Sequence, residues 1–229
     1  MKKRSKRYKN FNKVEASNKK IDVNGLIENV KKTSTTKFDE SVDVSMKINL
    51  KQSKGGDFSL RTVVKLPNGN GKKLKIAVLC EQDKINDAKS NGADICGSQD
   101  LLDNIAAGKI NFSKLVCTPS MMSKLGKHGK VLGPKGLMPN PKLGTVSNDL
   151  KKSIKDLKNG LVEVKNDKDG NIAVSIGRKS FSNEKILENL KYLIESIKKE
   201  KPDAIKGEFI KNIFITSTMG LSYKLNGKI

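Results

Sequence analysis

The chain has no tryptophan, and aromatic residues make up only 4% of it. Any core must therefore be aliphatic. It has one histidine, His128, and three cysteines, Cys80, Cys96 and Cys117, none in C-x-x-C spacing. Zinc needs about four ligands at recognisable intervals, so no metal site is expected. The odd, scattered cysteines suit reduced, buried thiols in a cytoplasmic protein. His128 could pair with a cysteine as nucleophile and base, but no third, orienting group is indicated, and an enzyme is not expected. No apolar run approaches the roughly 20 residues of a membrane span, and the basic start lacks the apolar centre of a signal peptide. Neither Gly69-Asn70-Gly71 nor Gly133-Pro134-Lys135-Gly136 completes a phosphate-binding glycine motif, so no nucleotide cofactor is expected either. Acidic charge is also scarce, with 24 acidic residues against 46 basic ones.

The net charge is +22 over 229 residues. Such an excess destabilises a compact fold by self-repulsion and implies a polyanionic partner. Only Arg4, Arg7, Arg61 and Arg178 are arginines. Lysine meets phosphate as a point charge, whereas arginine suits planar bidentate reading, so the bulk charge argues for backbone contact. Residues 1–20 hold nine basic and one acidic residue, and residues 69–159 hold sixteen and eight. The first stretch reads either as an RNA-contacting arm, with Tyr8 and Phe11 as anchors, or as a solvated tail.

Asp22 is placed to cap a helix with Val23, Leu26, Ile27 and Val30 on one face. Ser41 to Leu50 alternates strictly, with Val42, Val44, Met46, Ile48 and Leu50 on one side, which predicts a half-buried strand. Gly55-Gly56 breaks the pattern. Leu60 to Leu66 reads as a second strand, and antiparallel pairing with the first is the simplest topology. After Pro67-Asn68-Gly69-Asn70-Gly71 the pattern changes. Lys75 to Cys80 is continuously apolar, as in a parallel strand covered on both faces. A helix to about Ser90, a strand at Ala93–Cys96, a helix capped by Ser98, a strand at Phe112–Cys117 and a helix starting at Asn148 or Asp149 and ended by Gly160 follow. A hairpin turns around Asn166 to Gly170. Ser182 caps a helix carrying Ile186, Leu190, Ile194 and Ile197, with Phe181 and Ile186 at staple positions. Phe209 to Thr218 is the last strand.

Residues 21–66 and 161–218 are each too small to fold alone. The fold class is therefore α/β with two domains: a split α+β domain, residues 1–68 plus 160–229, interrupted by a small Rossmann-like domain with a parallel sheet, residues 69–159. Connections near residues 68 and 160 would form a double hinge.

Thr118 to Val146 is the most distinctive stretch. It carries Lys124, Lys127, Lys130, Lys135 and Lys142 and no acidic residue. Its glycines (Gly126, Gly129, Gly133, Gly136) and prolines predict a shaped, basic, largely non-helical element. Its residue order, KLGKHGKVLGPKGLMPNP from Lys124 to Pro141, resembles the signature of the large-subunit ribosomal protein L1 family (uL1), bacterial type. The resemblance extends from Lys37-Phe38-Asp39-Glu40-Ser41-Val42 to Thr218-Met219-Gly220.

The resemblance implies a ribonucleoprotein constituent of the large subunit, monomeric outside the ribosome. Its split domain would grip the rRNA of the mobile stalk. Its inserted domain would face exit-site tRNA and help release it. The same RNA-binding surface would repress translation of its own mRNA leader. A general, non-ribosomal RNA-binding regulator is the competing reading.

A-form RNA hides its major groove, so recognition falls on bulges, 2′-hydroxyls and the shallow groove. Three segments fit. Thr216-Ser217-Thr218-Met219-Gly220 offers hydroxyls, a thioether and a glycine for close approach. Lys37, Phe38, Glu40 and Ser41 offer a cation, a stacking ring and 2′-OH partners. The hairpin tip offers Lys165, Asn166, Asp167 and Lys168. In the family the matching residues contact rRNA. On residues alone, an ordinary strand end, a core phenylalanine and a polar turn remain open. In the inserted domain, Lys124, Lys127, His128, Lys130, Lys135 and Lys142 would face tRNA or rRNA. The family usually has Met-Gly-Pro-Ser where this chain has Met219-Gly220-Leu221-Ser222, so Leu221 restores an N–H and would loosen the loop.

Overall fold

Strand β1 (Ser41–Ile48) is where the split unit begins to make sense. Val42, Val44, Met46 and Ile48 alternate into the core as the period of two requires. The structure, a computed structural model, describes residues 6, 7, 11, 23–49, 60–202, 205 and 207–225. The anchor expected at Tyr8, the cap at Asp22, the strand end at Leu50 and the break at Gly55-Gly56 lie outside them.

The chain divides into two compact units, Met1–Gly71 with Val164–Ile229, and Lys72–Glu163. In the first, the sheet order is β7-β1-β8-β9, all antiparallel. β7 is Asn171–Arg178, β8 is Ile210–Ser217 and β9 is Ser222–Lys224. Helix α1 (Val23–Thr33) buries Leu26, Ile27 and Val30. The long helix of this unit, Asn183–Lys199, buries Ile186, Leu190, Leu193, Ile194 and Ile197. Each such side chain contributes about 1.5–3 kcal/mol when fully buried. Ser182 caps this helix, accepting from Lys185 N at 3.4 Å.

One pairing differs from expectation. β2 (Arg61–Lys65) does not pair with β1 but with β6 (Leu161–Lys165), in a two-stranded ribbon. A strand has two edges, and those of β1 are both taken by the eight-residue strands β7 and β8. These offer longer ladders than five-residue β2. β9 is an addition: it folds back on β8 through Thr216↔Ser222, making Ser217–Leu221 a hairpin loop.

The second unit is a parallel sheet of order β4-β3-β5 (β3 Ile76–Leu79, β4 Ile95–Gly97, β5 Lys114–Cys117). All four residues of β3 are buried. Ala77 and Leu79 face one core, with helices α3 (Gln99–Ala106), α4 (Pro119–Gly126) and α5 (Gly129–Leu132). Ile76, Val78 and Cys80 face the other, with α2 (Ile85–Ser90) and α6 (Leu150–Lys158). Asp149 caps α6, accepting from Lys152 N at 3.1 Å. Ser98 stands at the cap position of α3 without a side-chain capping bond. The three thiols are free, Cys80 and Cys117 buried, and burial pushes Cys117 up to about 11. The Asn183–Lys199 helix is α7. Among the described residues no helix is long and apolar enough to cross a membrane.

Candidate nucleic-acid interface

The register of the split unit's sheet brings two of the three candidate segments together. Val42 lies opposite Ser217 in β8, and Ser41 opposite Arg178 in β7. The start of β1 and the end of β8 therefore share one end of the sheet. Thr218 N donates to Ser41 O at 3.1 Å. Ser41 N donates to Thr218 Oγ1 at 3.0 Å, and the two hydroxyls are 2.9 Å apart.

Glu40 organises this end. It is fully buried. Its Oε1 accepts from Thr36 N at 3.2 Å and Thr36 Oγ1 at 2.7 Å, and its Oε2 accepts from Met219 N at 2.9 Å. Desolvation alone would raise its pKa. Together, the hydrogen bonds from the Thr36 side chain, the Met219 backbone, the Ser217 side chain and the Thr36 backbone outweigh that and hold the carboxyl below its ordinary value of 4.5. Glu40 thus ties the Lys37–Ser41 segment to the β8–β9 loop from beneath, and its oxygens are engaged inside the protein rather than offered to a 2′-OH.

Above it, Phe38 and Met219 are 53% and 54% exposed. Apart from Tyr192, they are the large hydrophobic side chains left open among the described residues. A flat ring and a flexible thioether beside exposed Thr218 and Lys37 form a surface on which bases or sugars can stack while hydroxyls meet 2′-OH groups. Thr216 is half-buried, and its hydroxyl donates to Ser217 O at 3.1 Å. Gly220 has an internal reason to be glycine: a Cβ there would stand 2.2 Å from Ser217 Oγ and 3.2 Å from Thr33 Oγ1. The loop does not depend on a proline at position 221. Met219 N is held by Glu40, Gly220 N donates to Ser217 O at 3.3 Å, and Arg7 Nη2 donates to Met219 O at 2.9 Å. Arg7 also lies 4.0 Å from Glu40 Oε1 and 5.1 Å from the centre of the Phe11 ring.

The third segment lies elsewhere. Lys47 pairs with Asn171, so the hairpin tip sits at the far end of β1 and β7 from Ser41 and Arg178, roughly 20 Å away at about 3.4 Å per residue. Two of its four candidates are occupied. Asn166 is buried and its Oδ1 accepts from Leu60 N at 2.6 Å. Asp167 accepts from Asn171 N, Asn171 Nδ2 and Asp169 N at 2.7, 2.8 and 3.0 Å, and those bonds to Asn171 lower its pKa. They shape the turn, with Gly170 at φ 81°. Lys165 and Lys168 remain exposed.

In the second unit, the basic element is more helical than its glycines and prolines predict. Pro119 opens α4 at a position that needs no N–H donor. Met121, Leu125 and Leu132 seat α4 and α5 on the core. Gly126, Gly129 and Gly133 are not in the left-handed region. Gly136 and Gly144 are, at φ 65° and 66°. The second half is an irregular loop closed by Asn140 and Thr145. Asn140 N donates to Thr145 Oγ1 at 2.8 Å, which donates back to Asn140 O at 3.1 Å. Lys124, Lys127, Lys130, Lys135 and Lys142 are all exposed, and His128 is half-buried before α5. The element thus presents five exposed cations with no intervening acid.

Arg7, Thr36 and Arg178 are the participants that sequence reasoning missed. The one available signal was that Arg7 and Arg178 are two of only four arginines. Among the described residues no cluster of three His, Cys, Asp or Glu is placed to hold a metal.

A family model described as Ribosomal protein L1p/L10e family matches residues 30–221. The chain is 56% identical to the large ribosomal subunit protein uL1 of Pelagibacter ubique (strain HTCC1062) over 204 residues, 89% of each chain. It is 43% identical to the protein of the same name from Thermosipho africanus (strain TCF52B), over 99% of this chain and 97% of that one. A third relative so named, from Prochlorococcus marinus (strain NATL1A), is 47% identical over 87% of this chain and 85% of its own.

Proposed function

The chain belongs to the ribosomal protein L1p/L10e family, and from that premise we propose how its two units divide the work. As a family member it is a structural, rRNA-binding component of the large ribosomal subunit in the cytoplasm, not an enzyme. Within that role, the split unit grips the rRNA of the mobile stalk through Lys37, Phe38, Ser41, Thr216, Thr218 and Met219. Glu40 and Gly220 hold those groups in place. Lys165 and Lys168 add phosphate contacts at the far end of the sheet. The inserted unit turns its five lysines and His128 toward deacylated tRNA in the exit site and helps release it, swinging on the two connections as a double hinge. The same gripping surface binds a similar structure in the protein's own mRNA leader and represses translation.

One observation carries this reading: a buried carboxylate with three hydrogen bonds ties the segment that carries exposed Phe38 to the loop that carries exposed Met219 and Thr218. A merely solvated strand end has no need of such a lock. Net charge alone would also suit a general RNA binder. Co-sedimentation with large subunits in high salt separates the two.

Thr218→Val is expected to weaken binding to a stalk rRNA fragment by roughly 1–3 kcal/mol, because Ser41 N loses its acceptor and the RNA loses a hydroxyl. A titration showing less than about 0.3 kcal/mol, below the scale of one lost hydrogen bond, would remove Thr218 from the interface.

A further inference from the structure

The turn from Arg178 to Phe181 touches both the proposed RNA grip and the chain leaving the split unit. On one side it is laced to the Lys37–Glu40 loop. Arg178 Nη1 donates to Asp39 O at 3.0 Å, Lys179 N to Glu40 O at 2.8 Å, and Ser180 N and Oγ to the Asp39 carboxylate at 3.1 and 2.9 Å. On the other side, Arg178 Nε donates to Gly71 O at 3.1 Å. Gly71 is the last residue of the split unit before the chain enters the inserted one. It sits at φ 70°, and a Cβ there would lie 2.9 Å from Arg178 Cγ and 3.1 Å from the Phe181 ring. The backbone of the connection is thus pressed against the arginine stem and the ring.

The residues just before Gly71 are anchored as well. Asn189, fully buried on α7, donates to Gly69 O at 2.8 Å and Ile176 O at 2.7 Å, and accepts from Asn68 N at 3.1 Å. The connection from Asn68 to Gly71 is therefore held at Asn189 and at Arg178. Of these two, Arg178 also reaches the RNA-gripping loop.

We infer that Arg178 is a positioning residue that couples RNA engagement at the Lys37–Ser41 loop to the outgoing connection at Gly71. One planar guanidinium serves two carbonyls, Asp39 O and Gly71 O, with its donors in a fixed fork. Fixing one partner restricts the other. RNA that orders the loop therefore restrains the connection, and by reciprocity a strained connection loosens the grip. Lysine at this position carries its donors on one rotating atom and would couple the two more weakly. This inference rests on the interface proposed above and adds to it a path by which binding reaches the hinge.

Hydrogen exchange read by mass spectrometry tests it, with a stalk rRNA fragment at saturating concentration and the full chain as wild type, Arg178→Met and Arg178→Lys. In wild type, RNA is expected to slow exchange several-fold both in residues 35–42 and in residues 66–74. In Arg178→Met, residues 35–42 are still slowed and residues 66–74 are not. Arg178→Lys, which keeps the charge, gives an intermediate result. Unchanged protection in β1 and α7 verifies that the variants are folded. Equal slowing of residues 66–74 in wild type and Arg178→Met, or no slowing there in wild type, overturns the coupling while leaving the interface standing. No slowing of residues 35–42 in wild type overturns the interface itself, and the coupling with it.

Discussion

Glu40→Ala is expected to lower stability of the split unit by about 1.5–3 kcal/mol, the scale of hydrogen bonds made to a charged group, since part-buried donors lose a carboxylate acceptor. Thr36 N and Met219 N lose their acceptor, Thr36 Oγ1 keeps only Phe38 O at 3.3 Å, and Arg7 loses the carboxylate 4.0 Å away. With Met219 released, affinity for the stalk fragment should fall about a hundredfold, the equivalent of roughly 2.8 kcal/mol. Glu40→Gln keeps the shape but presents an amide N–H to one of the donors, so it should fall between alanine and wild type. The same site sets an acid limit. The folded carboxyl titrates below its ordinary value of 4.5. Its stabilising contribution is therefore fully present above that value and is lost as pH falls through the lower folded value. Urea midpoints and RNA titrations near neutral pH and near pH 4 would check both statements. An alanine variant that keeps wild-type midpoint and affinity would show that Glu40 holds nothing together.

Gly220→Ala should be nearly as damaging to binding. The new methyl would stand 2.2 Å from Ser217 Oγ, and Ser217 is buried at the end of β8, so either the hydroxyl must turn within a packed site or the loop must shift. Overpacking of this kind costs about 1–3 kcal/mol. Because the displaced segment carries Met219 and Thr218, affinity should drop about tenfold to a hundredfold, which corresponds to 1.4–2.8 kcal/mol. The collision is specific, so it can be relieved. Ser217→Ala combined with Gly220→Ala removes the clashing oxygen and should recover most of the loss, a coupling that independent sites do not show. A single variant with unaltered binding, or a double variant no better than the single, would mean that the loop's position does not matter to recognition.

Local periodicity carried much of this fold. The alternation of Val42, Val44, Met46 and Ile48, the unbroken apolar run of β3 and the caps at Asp149 and Ser182 are short-range signals, and each stands as expected. The pairing of β2 was not legible, because which strands fill the edges of β1 depends on segments more than a hundred residues away. The helices α4 and α5 were hidden by their glycines and prolines. Pro119 sits where a helix tolerates it, and the burial of Met121, Leu125 and Leu132 overrides weak propensity. At the candidate interface, the exposed residues Phe38, Thr218 and Met219 could be picked out from their chemistry. Glu40, Asn166 and Asp167 carry equally suitable groups. Their use in internal hydrogen bonds shows only once partners distant in sequence, or across a closed turn, are in place.

The central claim is that a shaped surface on the split unit, rather than the charge of +22, recognises the RNA. Its most direct test is the salt dependence of binding to a stalk rRNA fragment beside a scrambled fragment of equal length. Each phosphate neutralised on single-stranded nucleic acid contributes a slope of about −0.7 in log affinity against log salt, whatever the sequence. The account predicts that binding to the stalk fragment persists when salt is raised several-fold while binding to the scrambled fragment disappears. Equal affinities falling together along the same slope would contradict it and leave a general polycation in place of a specific reader.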